Sequence, residues 1–234
     1  MHKLNLLFTL SSLSVLLVTI ERFSFTTKIF LQPYNFLRLH ELIQMSVLIL
    51  LTVVIPFFIL KTVSNNFESL KTKLGLLLGL VFVIGVYFYS TGNGLHEVSS
   101  FNFNNFCDAK NFSGELCNGF FFNDYYTGNI IYFIGGGLMV ISLLFFEKLN
   151  PNKSYQKKDL FLTLINAVIY SLAIFAYAAF DKVLVGLVYS LIIMLIADFL
   201  FLNLRKKYLQ YPVITYTTAT YTLGTILALI FRFH

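Results

Sequence analysis

The chain has 234 residues, is 57% hydrophobic and only 12% charged, and carries a formal net charge of +6. A soluble domain has about 25% charged residues, so this composition excludes a sizeable water-soluble core. The excess of positive charge needs no nucleic acid to explain it, because the basic residues cluster at the ends of apolar runs.

Seven such runs read as membrane-spanning helices, since ~20 residues at 1.5 Å rise cross a ~30 Å hydrocarbon core. In chain order they are Leu4–Ile20, Glu41–Leu60, Leu74–Ser90, Gly128–Phe146, Leu160–Phe180, Val183–Leu204 and Val213–Phe231. The expected fold is all-α: one integral membrane domain over residues 1–234, a seven-transmembrane-helix bundle. The runs are continuous and do not alternate, which argues against a barrel. The first run follows Lys3 like a signal peptide, but Glu21-Arg22-Phe23 is no small-residue cleavage site, so it is read as a helix. Trp is absent and Tyr numbers 14, which leaves tyrosine to supply the interfacial belt.

Charge sets the expected orientation. One side carries eleven Lys and Arg (residues 3, 61, 71, 73, 148, 153, 157, 158 and 205–207) and the other six (residues 22, 28, 38, 110, 182 and 232). The richer side is expected to be cytoplasmic, with the N-terminus inside and the C-terminus outside. Seven of the acids run the opposite way. A multi-pass protein of the plasma membrane, with membrane lipid as its surroundings, follows from these counts.

Between the third and fourth runs lies an expected outer loop, residues 91–127. It holds the only cysteines, Cys107 and Cys117, and an oxidising exterior favours a disulfide between them. Asn111-Phe112-Ser113 matches a glycosylation sequon. The stretch Tyr89–His96 contains Gly92, Asn93 and Gly94; it either leaves the helix or permits close helix contact.

The histidines beyond His2 map to the outer side. His40 and Glu41 open the second run, His96 and Glu97 follow the third, and Asp124 precedes the fourth. Imidazole and carboxylate together suit zinc or another borderline divalent metal, with His40, His96 and Asp124 as candidate ligands. Such an ion would polarise a carbonyl or activate water. The alternative is a hydrated or hydrogen-bonded polar cavity, because adjacent His and Glu diverge by ~100° on a helix. Asp198 is the one acid well inside a run; it either marks a site or pairs with Arg205-Lys206-Lys207. Asn166 reads as an interhelical hydrogen-bond partner, and Thr215, Thr218, Thr222 and Thr225 share one face of the last run, expected to look inward. Gly135-Gly136-Gly137 marks a kink or a thin spot.

In topology the chain resembles the progestin/adipoQ receptor and alkaline ceramidase group of membrane hydrolases. The paired histidines that this group carries in its last helix are missing here. A microbial rhodopsin would need a lysine after Lys207, and there is none. Gly92-Asn93-Gly94-Leu95-His96 and Asp124-Tyr125-Tyr126-Thr127-Gly128-Asn129 are similar to prokaryotic multi-helix membrane proteins with histidine where this chain has Asn93 and Asn129. That resemblance implies one polar site made of Asn93, His96, Asp124 and Asn129, with metal ligands lost. Three functions fit the sequence: lipid or small-molecule handling at an outer site, including hydrolysis; transport along Asp198 and the threonine face; or a non-catalytic partner subunit.

Overall fold

A computed structural model describes residues 3–108, 110, 113–152, 154–204 and 207–234. Seven helices are long and apolar enough to span a bilayer, and they mark an integral, multi-pass membrane protein: α1 (Lys3–Glu21), α2 (Leu39–Val63), α3 (Lys73–Phe106), α4 (Glu115–Leu149), α5 (Lys157–Phe180), α6 (Val185–Leu202) and α7 (Pro212–Phe233). Leu76, Leu77, Leu80, Val83 and Ile84 of α3 are all exposed. In water such a patch would aggregate; against acyl chains it is ordinary surface. The end of the bundle that carries the N-terminus is called proximal below, and the opposite end distal.

The closest packing joins α3 to α4, antiparallel. Apolar surface gains little by leaving lipid, so helices in a membrane are held by van der Waals fit and by polar contacts. Here the fit depends on glycine. A methyl group added at Gly135 would lie 2.6 Å from the Gly85 carbonyl, and one at Gly92 would lie 2.8 Å from the Gly128 carbonyl. Neither distance admits a carbon atom. Gly85 and Gly92 are seven residues apart, as are Gly128 and Gly135, so one register serves both crossings. One repeat further in the proximal direction, Ser142 donates to the Leu78 carbonyl at 2.7 Å. About one turn beyond Gly92 in the distal direction, the same register brings His96 opposite Asp124.

The expected outer loop at 91–127 is corrected by this packing. The helix continues through Tyr89–His96 to Phe106, and α4 starts at Glu115. Only residues 107–114 lie between the two, and Cys107 and Cys117 are disulfide-bonded. The apolar run ends near Ser90, but helix does not require apolar residues. Phe101 and Phe103 are buried in the extension, and Phe103 meets Phe121 and Tyr125 across the hairpin. The sequon residues Asn111 and Phe112 lie outside the described residues.

Polar side chains bind the other helices. At the proximal end Asn5 of α1 donates to the backbone carbonyl and the carboxylate of Asp159 at the start of α5, both at 3.2 Å. Tyr155 and Thr163 donate to the Asn5 amide oxygen. Burial pushes the Tyr155 phenol up to about 12, so it remains a neutral donor. Asn166 donates to Thr9 at 3.0 Å and its carbonyl accepts from Ser12, the interhelical role read from the sequence. Glu147 of α4 is buried, and its two carboxylate oxygens accept the Val213 and Ile214 amides at 2.8 and 2.7 Å. These are N–H groups that the first turn of α7 cannot satisfy within the helix.

The glycine contact and the Glu147 cap each carry a measurable cost. Gly135→Ala is expected to destabilise by about 2 kcal/mol or more through overpacking. Gly94→Ala, with open space around it, should be neutral or stabilise by up to ~1 kcal/mol as a better helix former. Thermal unfolding of the two variants in one detergent tests the contrast. In the same assay Glu147→Gln should lose about as much as Glu147→Ala, on the order of 1–3 kcal/mol, because an amide NH₂ cannot accept the second amide proton.

Candidate functional site

The distal end gathers ionisable side chains from four helices. His40, at the start of α2, places Nδ1 2.6 Å from Glu21 Oε2 at the end of α1. An ionised carboxylate only accepts hydrogen bonds, so Nδ1 carries the proton in that pairing and Nε2 faces the other way. There it meets Glu97 of α3, whose Oε2 is 4.0 Å off. Glu97 is 2% exposed, yet the Arg22 guanidinium stands 3.6 Å away, beyond hydrogen-bond distance. Among the described residues Glu97 Oε1 has no hydrogen-bond partner. Glu21 is held more fully: Gln44 donates at 2.8 Å to Oε2, and Thr26 donates to Oε1. His40 is thus fixed on one side by a well-bonded carboxylate and open on the other to an under-bonded one.

A second pair lies beside it. His96 Nδ1 is 2.8 Å from Asp124 Oδ1 and 3.1 Å from the Asp124 carbonyl. Asn129 donates to the Tyr125 carbonyl within its own helix. The Asn93 amide nitrogen has no partner among the described residues, although the residue is buried. Two π-helical turns frame the site, Ile43–Leu48 in α2 and Asn123–Gly128 in α4. Such turns insert an extra residue and re-aim side chains, and they concentrate at functional sites. One carries Gln44 and the other carries Asp124.

Two readings of the sequence change here, the facing of Glu41 and the metal site. Glu41 does not face the histidines: it is 1% exposed and bonds Arg38 through both the backbone amide and the guanidinium. His40, His96 and Asp124 do not close around one ion. Among the described residues no group of three or more His, Cys, Asp and Glu is disposed to hold a metal. His40 instead spends Nδ1 on the Glu21 carboxylate, and His96 Nδ1 bonds the Asp124 backbone carbonyl, with Asp124 Oδ1 close by but without a well-formed hydrogen bond among the described residues. Asp198 accepts from Thr222 of α7 at 2.9 Å, while Arg205 and Lys206 lie outside the described residues. Sequence reasoning passed over Glu21, Arg22 and Gln44 as site residues. A signal was present: the chain leaves the distal end at Glu21-Arg22 and returns to it at Arg38-Leu39-His40, so charges of both signs meet there.

Tyrosine departs furthest from expectation. Instead of forming only an interfacial belt, Tyr89, Tyr132, Tyr170, Tyr177, Tyr189 and Tyr221 line an interior cavity of about 110 Å³, to which all seven helices contribute. Tyr89 bonds Thr52 at 3.1 Å and Tyr132 at 2.9 Å, and Tyr189 bonds Tyr221 at 2.8 Å. The Tyr177 hydroxyl lies near that of Tyr221 but makes no well-formed hydrogen bond among the described residues. Ser14 lies seven residues from Glu21 on α1, and Tyr89 seven from His96 on α3, so the cavity sits about 10 Å inward of the ionisable cluster. The signal in the sequence was tyrosine at mid-span, where a belt residue has no reason to be.

The chain matches no known protein-family model, no curated protein sequence and no solved structure.

The coupling within the distal cluster is measurable. In a double-mutant cycle, Glu21→Gln and His40→Gln should be non-additive by about 1–3 kcal/mol, since each removes the other's partner. Thermal unfolding of the four proteins tests this, and additive losses would mean that the pair makes no energetic contact.

Proposed function

We propose that the protein handles a lipid or other small molecule at its distal end, with Glu21, His40 and Glu97 as a proton-transfer site. The observation that supports this reading most is the placement of His40 between a fully bonded carboxylate and a buried, under-bonded one. Glu21 orients the imidazole, and Nε2 is turned toward Glu97 Oε2 across 4.0 Å, while Arg22 stands beside Glu97 Oε1. A hydroxyl or water brought to Nε2 meets a general base, a group that contributes typically 10²–10⁴-fold to a rate. Hydrolysis of a lipid or lipid-linked substrate is the natural chemistry there. In this reading the distal end is the outer face of the plasma membrane, in keeping with the basic residues at the proximal end. The partial likeness of Asn93, His96, Asp124 and Asn129 to histidine-rich prokaryotic membrane proteins points to the same end of the bundle.

A second reading is transport. It draws on the hydrogen bond from Thr222 to Asp198, and on the Thr218 and Thr225 hydroxyls of α7, which are buried without partners among the described residues. Polar groups at several depths would then form a path.

Proteoliposomes made with a total bacterial lipid extract separate the two. The expected result is time-dependent loss of one lipid class, slowed at least tenfold by His40→Gln and little changed by Asp198→Asn. Turnover equal in wild type and His40→Gln would overturn the proton-transfer site. Solute flux lost in Asp198→Asn, with no lipid turnover, would establish the second reading in its place.

A further inference from the structure

A second space lies beside the tyrosine cavity. It is a groove of about 680 Å³ between α4 and α6, lined by Ile130, Ile134, Leu138, Ile141, Val188 and Ile192 among others. That volume is in the range of ligand pockets. Ile130, Ile134, Val188 and Ile192 are exposed, and all lie within candidate spans, so the groove opens sideways toward acyl chains. From Ile130 to Ile141 it follows α4 for about 16 Å at the helical rise.

Groove and cavity share a wall. Phe133 and Tyr189 line both, with their rings stacked at 4.7 Å. Gly136 faces the cavity and Gly137 the groove. A methyl group at Gly136 would lie 3.2 Å from the Tyr189 hydroxyl, and one at Gly137 would lie 3.6 Å from the Tyr189 ring. Gly136 and Gly137 therefore keep this wall thin, while Gly135 serves the contact with α3.

The chemistry of the two spaces differs. The groove is apolar. The cavity has hydroxyl groups and, among the described residues, no charged side chain along its lining. The poorly bonded Tyr177 hydroxyl borders it. A space of about 110 Å³ exceeds the ~10–15 Å³ that one water needs, so it accommodates a small polar group. A charged head group would lie there in low dielectric without a counter-charge, at high cost. A hydroxyl or ester carbonyl would satisfy Tyr177 instead.

We infer that the groove and cavity together bind a single-chain, uncharged bilayer lipid, with its acyl chain along α4 and α6 and its hydroxyl- or carbonyl-bearing head passing Tyr189 into the tyrosine cavity. This rests on the reading of the protein as a lipid handler and names the class of lipid.

The test uses full-length protein in nanodiscs and a monoacylglycerol carrying a diazirine and an alkyne on its chain, with labelled peptides mapped by mass spectrometry. Labelling is expected within residues 130–141 and 184–193. Unlabelled monoacylglycerol should compete at least tenfold better than lysophosphatidylcholine of the same chain length. Val188→Phe, which fills the groove from a lipid-exposed position, should cut labelling at least fivefold without affecting the fold. Tyr177→Phe should weaken competition about fivefold, as expected for one hydrogen bond. Labelling that ignores Val188→Phe, or equal competition by the zwitterionic lipid, would overturn the inference, because the groove would then hold bulk lipid only. His40→Gln separates this inference from the one it rests on. Labelling kept while turnover is lost supports both, and labelling kept with turnover unchanged removes the proton-transfer site alone.

Discussion

The contact on which the rest depends is the backbone-to-backbone approach of α3 and α4 at Gly85, Gly92, Gly128 and Gly135. In a bilayer the hydrophobic effect does not tell one helix face from another. Register has to come from shape, and a pair of glycines seven residues apart on each helix supplies it. Once Gly85 meets Gly135, the Ser142–Leu78 hydrogen bond and the His96–Asp124 pair follow at the same register. A slip of one residue would bring Cβ atoms into carbonyl oxygens. The distal site is thus positioned by backbone contacts inside the bundle, the nearer of which, at Gly128, lies directly against the His96 backbone.

Length and hydropathy made the seven spans legible, and span ends near Lys and Arg came close to the observed ones. The errors came where helix and hydrophobicity part company. Residues 91–106 are polar and rich in Asn, yet they continue α3, because Phe101 and Phe103 have a partner hairpin to pack against. Pattern within one run cannot reveal a partner that lies on another. The same limit applied to the site. His40, His96, Glu97 and Asp124 were identifiable as polar residues at one end of the bundle. That each histidine pairs with its own carboxylate depends on which helices are neighbours, as does the turning of Glu41 toward Arg38. Glu21 looked like an ordinary end-of-span charge until the return of the chain at His40 gave it a role.

Polar contacts at successive depths divide the labour of assembly. The Asn5–Asp159–Tyr155–Thr163 group joins α1 to the start of α5, and Asn166 joins the same helices one layer further in. Glu147 ties α4 to the first turn of α7. The tyrosine cavity lies beyond them, where all seven helices converge, and the ionisable cluster closes the distal end. Each layer satisfies donors and acceptors that lipid cannot, and each also fixes which helices are neighbours.

The helices are far from equal in length. At the helical rise α3, with 34 residues, extends about 50 Å, whereas α6, with 18, covers only about 27 Å. A hydrocarbon layer of ~30 Å cannot match both. The surplus of α3 is its polar stretch 91–106, which projects past the layer at the distal end, whereas α6 has no surplus to project. The α4–α6 groove runs beside this shortest span, and its distal end, at Tyr126 and Leu184, coincides with the point where α6 begins.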